Sequence, residues 1–357
     1  MRTGSLNGTI YGNEWQTIYD SGELGSASTS LNITDLNGNL DKEYRLICRF
    51  VSSSNSSFVI GPNGDYYNNG LQQLTGNNSS AAASRQTSDP GMYVGYSQNA
   101  GEVSMSDTII YAKSGFVRTG ISTFFWGSGT TVTQLNYHGW SWNNTADNIT
   151  SLLIGGNMAA GTRIILMRRA DRDASTIGKT GDADVYGRIK GCFQKIYENN
   201  LSAPATSMTI SGLDGNTDVL YRLMFRGVNG YNGASAGALV FNGDVGTNYG
   251  YQRIYGSDTS PGANRYGTLT GISFGNWGAL NQISMVDVLI HAKSGYVRTG
   301  LMDEIWNVNG TTISAVLKKG LVWNNTASNL TSITIDGGAY INLLGTGTVI
   351  ELWAYRP

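Results

Sequence analysis

The stretch SMSDTIIYAKSGFVRTG, Ser104–Gly120, returns as SMVDVLIHAKSGYVRTG, Ser284–Gly300, identical at twelve of seventeen positions. Other pieces return in the same order. YRLICR at Tyr44–Arg49 reappears as YRLMFR at Tyr221–Arg226, and WNNTADNITS at Trp142–Ser151 as WNNTASNLTS at Trp323–Ser332. WQTIYD from Trp15 has a looser echo in FQKIYE from Phe193, and GTRIILMRR from Gly161 in GTVIELWAY from Gly347. A period this long means two tandem domains, because solenoid repeats run only about 20–50 residues. The expected organisation is a first domain over 1–169, a linker over 170–191 and a second domain over 192–357. The segment 170–191 has no counterpart and is charged and poor in apolar runs.

The repeated pieces read as strands. Tyr44, Leu46 and Cys48 alternate with Arg45, Ile47 and Arg49, the period of a β-strand. DTIIYAKSGFVRTG gives strand, Lys-Ser-Gly turn, strand, with Gly115 and Gly295 supplying a backbone angle that other residues resist. No helical stripe exceeds two turns. The fold class expected is all-β: two tandem β-sandwich or jelly-roll domains from an internal duplication. Trp142 and Trp323 read as buried anchors, and Asn63-Gly-Asp65 and Asn242-Gly-Asp244 as turns.

Composition excludes several functions. Charged residues make up 14% of the chain and the net charge is −1, so nothing favours nucleic acid or an anionic membrane. No apolar run is long enough to span a membrane. The N-terminal segment has no apolar core, so no secretory signal is expected. The two cysteines, Cys48 and Cys192, are expected as free thiols, with Cys48 a small buried filler aligned with Phe225.

Motifs for chemistry fail their contexts. Gly271-Ile-Ser273-Phe-Gly275 matches a nucleophile elbow, but that elbow needs a strand-to-helix turn and a suitably placed histidine. His291 falls on an expected strand. His138 aligns with Lys319 and has no cysteine or histidine neighbour, so a zinc site is not expected. Asp35, Asn37, Asn39 and Asp41 are spaced like oxygen ligands, yet the loop lacks a distal Glu and reads as a hairpin turn. No catalytic residue, metal or cofactor is expected.

Two sets of residues are candidates for binding. Lys113, Arg118, Lys293 and Arg298 flank the repeated turn; shared packing explains them, and contact with an acidic group of a neighbouring subunit is the sharper reading. The stretch after the Asn-Gly-Asp turn differs most between copies. It holds Tyr66, Tyr67, Tyr93 and Tyr96 in copy one, and Tyr249, Tyr251, Tyr255, Tyr266 and Trp277 in copy two. Tyrosine among Ser, Gly and Asn suits adaptable recognition, and aromatic faces suit sugars. The second five are the candidate ligand-binding residues; packing at the sandwich ends is the alternative.

The ordered pieces Leu213–Arg226, Asn242–Gln252, Ala292–Gly300, Trp323–Ser332 and Gly347–Trp353 together resemble jelly-roll domains in virion proteins of tailed bacteriophages. The resemblance covers nearly all of copy two and most of copy one, which departs at Tyr66–Gly70. It implies a non-enzymatic structural protein displayed on a phage particle, as a head decoration or a tail-fibre or receptor-binding component. It further implies a homotrimer. Low charge, free thiols and the absence of a secretory signal fit assembly in the host cytoplasm and later exposure on the particle. The partners expected are other virion proteins and in some cases a host surface glycan, with no nucleic acid and no membrane insertion. The alternative reading is a carbohydrate-binding or polysaccharide-degrading module.

Overall fold

The computed structural model describes residues 15–67, 69–89, 91–169, 193–233, 235–257, 260–308, 313–337 and 343–357. The expected linker and Cys192 lie outside the described residues.

The first half runs β1 (Trp15–Asp20), β2 (Ser28–Ile33), α1 (Gly38–Asp41), β3 (Glu43–Val51), β4 (Ser56–Pro62), β5 (Asn69–Asn77), β6 (Ser80–Asp89), β7 (Met92–Ser97), β8 (Val103–Tyr111), β9 (Arg118–Ser128), β10 (Thr131–Trp142), β11 (Leu152–Met158) and β12 (Arg163–Arg169). The second half repeats it: β13 (Phe193–Asn200), β14 (Ser207–Ser211), α2 (Gly215–Asp218), β15 (Leu220–Val228), β16 (Ser235–Phe241), β17 (Tyr249–Ser257), β18 (Ser260–Leu269), β19 (Ile272–Trp277), β20 (Ile283–His291), β21 (Arg298–Val308), β22 (Ala315–Trp323), β23 (Ser332–Asp336) and β24 (Val349–Tyr355).

Each half is a sandwich of an eight-stranded and a four-stranded sheet. The first has the orders β1-β12-β3-β8-β9-β10-β5-β6 and β2-β11-β4-β7. The second has β13-β24-β15-β20-β21-β22-β17-β18 and β14-β23-β16-β19, the same permutation moved on by twelve strands. All strand pairs within these sheets are antiparallel. The fold class is thus tandem β-sandwiches, as the duplication predicts.

Alternation fills each core. On β3 the inward residues Tyr44, Leu46, Cys48 and Phe50 are all buried, packed against Phe58, Ile60 and Ile154 of the small sheet. Burial pushes the Cys48 thiol pKa up, which fits a filler rather than a reactive group. The second core repeats this with Tyr221, Leu223 and Phe225 against Phe241 and Ile333.

A third apolar cluster joins the halves. It unites Ile47, Met105, Phe125 and Ile165 from the outer face of the first large sheet with Leu220, Leu289, Leu301 and Val322 from the outer face of the second. Both faces of β3 are therefore covered, although its sequence alternates. Polar contacts pin the seam. Lys293 meets Glu23 at 2.6 Å, the Tyr355 hydroxyl donates to Asp20 at 3.1 Å, and Gln252 exchanges two hydrogen bonds with the Asn78 backbone.

One turn reading is corrected. Asp35–Asp41 and its copy form a single helical turn before β3 and β15, not a hairpin turn. Asn37 and Asp214 accept from backbone N–H groups as N-caps. The next strand pairs with distant strands, so the backbone has no adjacent hairpin partner. Asn37 caps, and Asp41 binds Tyr44 and Arg168, so these ligand-spaced oxygens are engaged by the fold itself.

Candidate functional site

The repeated turn block has a structural job. Gly115 and Gly295 adopt φ of 92° and 90°, the left-handed region predicted for them, and donate to Thr145 and Thr326. Arg118 and Arg298 are buried rather than available to another subunit. Each donates to a backbone carbonyl, of Asp147 or Ser328, and lies about 5 Å over the ring of Trp142 or Trp323. Those indoles donate to Asp65 at 2.9 Å and Asp244 at 2.8 Å. Turn, arginine, indole and carboxylate form one plug at the end of each sandwich. Lys293 contacts an acidic group, but within the chain, at Glu23. Lys113 is exposed.

The five candidate aromatics do not form one accessible surface. Tyr249 stacks on Trp323 in the core with its hydroxyl bound to Phe241, and Trp277 packs edge-on against Phe274. Both are fully buried, and Tyr251 nearly so. Period-two alternation carries Tyr249 and Tyr251 inward together. Tyr255 and Tyr266 come together differently, around the guanidinium of Arg253. The centroids lie 5.1 and 5.4 Å away, with Trp306 at 5.2 Å on a third side.

Behind Arg253 lies a buried ion pair. Lys319 on β22 meets Glu304 on β21 at 2.5 Å and donates to the Ser273 carbonyl at 2.8 Å. Glu304 also accepts from the Trp306 indole and the Gly275 backbone. Burial lowers the Lys319 pKa, and its carboxylate partner opposes that shift. Ser273 lies within β19, so the strand-to-helix turn of a nucleophile elbow is not present there.

The equivalent place in the first sandwich is built otherwise. The duplication matches Lys319 with His138, Glu304 with Phe124 and Trp306 with Trp126. Neutral residues here leave a cavity of about 300 Å³ between the sheets, beside the edge strand β7. Phe124, Trp126, Tyr93 and Tyr96 supply its aromatic wall, and Gln73, Gln134, Asn136 and Gln98 its amides. Register explains the convergence: Asn136 pairs with Phe124, and His138 with both Ser122 and Gln73. All of these side chains share the inner face of the large sheet. Burial holds His138 near a pKa of about 4, so its imidazole is neutral at pH 7. Neither ring nitrogen of His138, nor the Trp126 indole nitrogen, has a hydrogen-bond partner among the described residues. The sequence signal for this place was available: a histidine opposite a lysine, and a phenylalanine opposite a glutamate, inside matched strands.

The chain matches no protein-family model and no curated protein. Among solved structures it is similar to mouse laminin α1 domains LG4–5, at 8% identity and a TM-score of 0.18 over 96% of this chain and 90% of that one. It is also similar to the PBSX exported protein XepA, at 8% identity and a TM-score of 0.17 over 95% and 85%. Likenesses this distant decide nothing about fold or function.

Proposed function

We propose that the protein is a non-enzymatic structural component displayed on a bacteriophage particle, where it binds other virion proteins as a homo-oligomer, with a trimer expected. The observation that carries the binding role is an apolar face on the first sandwich. Tyr111, Phe116, Val117 and Ile121 are 48%, 68%, 44% and 43% exposed. The duplicates of Tyr111 and Ile121, His291 and Leu301, are 2% and 7% exposed, and those of Phe116 and Val117, Tyr296 and Val297, are half-buried. Beside the repeated turn, the second sandwich's part of this face is covered by the first sandwich, whereas the first sandwich's own part stays open. A contiguous exposed apolar patch on a folded protein marks an interaction surface. The resemblance of the repeated sequence pieces to virion jelly-roll domains supports placing that surface on a phage particle.

The test pairs two binding arms with labelled protein: host-range bacterial cells, and particles lacking this protein. Saturable binding to the particles, weakened by Phe116→Asp with Ile121→Asp, is the expected outcome. Binding to cells that blocks adsorption assigns receptor recognition within the same reading. Release of reducing ends from a host polysaccharide, with no binding to particles, would overturn it in favour of a polysaccharide-degrading module.

A further inference from the structure

We propose that the cavity of the first sandwich binds the ring of a single neutral sugar residue. Its wall carries no charged side chain: beyond the residues already named it adds only Ser57. A charged ligand would enter without a counter-charge, which is costly in a buried place. A purely apolar ligand would leave the indole N–H of Trp126 and the imidazole of His138 buried and unpaired, although they are 1% and 2% exposed. The ligand must therefore be neutral and must both donate and accept hydrogen bonds while offering an apolar face.

Ring geometry narrows the class. Phe124 and Tyr93 meet His138 edge-on, at 83° and 87°, and Tyr96 meets Trp126 at 67°. None of these pairs is a parallel slot for a flat base. A pyranose ring fits better: its C–H face rests on an aromatic ring while equatorial hydroxyls reach amides around the edge. The volume lies at the small end of ligand sites, enough for one ring and not for a chain of them.

The second sandwich serves as an internal control. There Lys319 and Glu304 stand where His138 and Phe124 stand here, and Glu304 already accepts from the Trp306 indole. At these three positions that copy satisfies its own polar groups, whereas the first copy leaves the equivalent indole unpaired. The assignment rests on the residues of the first sandwich and holds wherever the protein acts.

The full chain, labelled with ¹⁵N, is titrated with a panel of neutral methyl pyranosides, with oligosaccharides ending in the same sugars, and with nucleosides. The expected result is a saturable shift of the Trp126 indole N–H resonance by at least one pyranoside. A response to the oligosaccharide as well assigns a glycan terminus; a response to the pyranoside alone assigns a free sugar. Trp126→Phe should weaken binding about tenfold, the loss of one buried hydrogen bond, while Trp306→Phe leaves it unchanged. The double substitution Phe124→Glu with His138→Lys copies the second sandwich and should abolish binding within an otherwise native spectrum. No shift by any pyranoside, binding unaffected by both sets of changes, or a response to nucleosides alone would each overturn the assignment. So would a crystal soaked in the best pyranoside that shows only water in the cavity.

Discussion

Lys319 and Glu304 show how a single residue pair decides what a site becomes. Both are almost fully buried, and the pair is tolerable because every charged atom finds a partner: Ser273, Gly275 and Trp306 complete the set. Lys319→Met is expected to cost about 3–5 kcal/mol, because it leaves a carboxylate buried without its cation. The double change Glu304→Phe with Lys319→His installs the first sandwich's residues and should recover most of that loss. Urea denaturation of Glu304→Phe, Lys319→His and the double variant closes the cycle; additive losses would show that the pair is not coupled. The pairing of position 319 with 304 was not legible in the sequence. The two lie on neighbouring strands in an offset register, and only the antiparallel ladder says which side chains share a pocket.

At the scale of elements, the repeated Lys-Ser-Gly turn was legible and its partner loop was not. Glycine at φ near 90° follows from residue type, and so does the strand on either side. What the turn is for follows from a contact across the sandwich end, where Arg298 bridges the turn, Trp323 and the Ser328 carbonyl. Asp244 completes this plug by taking the Trp323 indole N–H. Asp244→Ala is expected to cost about 1–3 kcal/mol, the penalty of an unpaired buried donor, and Asp65→Ala a similar amount through Trp142. Thermal unfolding of each variant measures it. Losses well under that range at both positions would mean that water replaces the carboxylate.

At the scale of the whole molecule, two like sandwiches meet through unlike halves of the same face. Tyr296 lies 4.0 Å over Arg49 in the seam, while its duplicate Phe116 stays in solvent. Met105 is buried there, and its duplicate Met285 is 52% exposed. His291 is sealed in the seam near Arg49 and Arg163. Burial first, and then the cations Arg49, Arg163, Lys293 and Arg298, keep its pKa well below the ordinary 6.5. The folded chain therefore binds fewer protons than the unfolded chain at acid pH. Stability should be full above about pH 6.5 and fall as pH drops, by up to about 1.4 kcal/mol per pH unit per buried histidine. His138 contributes in the same direction, from a pKa of about 4. The urea midpoint should fall between pH 7 and pH 5, and His291→Gln should remove the seam's share of that slope. A slope unchanged in the variant would show that His291 is hydrated in the folded state.

The sequence by itself determined the duplication, the β class, the buried tryptophans, the glycine turns and the buried cysteine. These follow from chain periodicity and from local backbone preference, and neighbouring residues alone set both. Only the tertiary structure decided that Tyr249 and Trp277 belong to a core. Only it showed that Arg118 and Arg298 are buried struts, that two outer sheet faces close on one another, and that Phe124, Trp126 and His138 surround a cavity. Each of these depends on strand order and on how far one sheet slides over another. Those quantities are fixed by the packing of residues far apart in the chain, and alternation reads the same on a strand whose second face is covered and on one whose second face is bare.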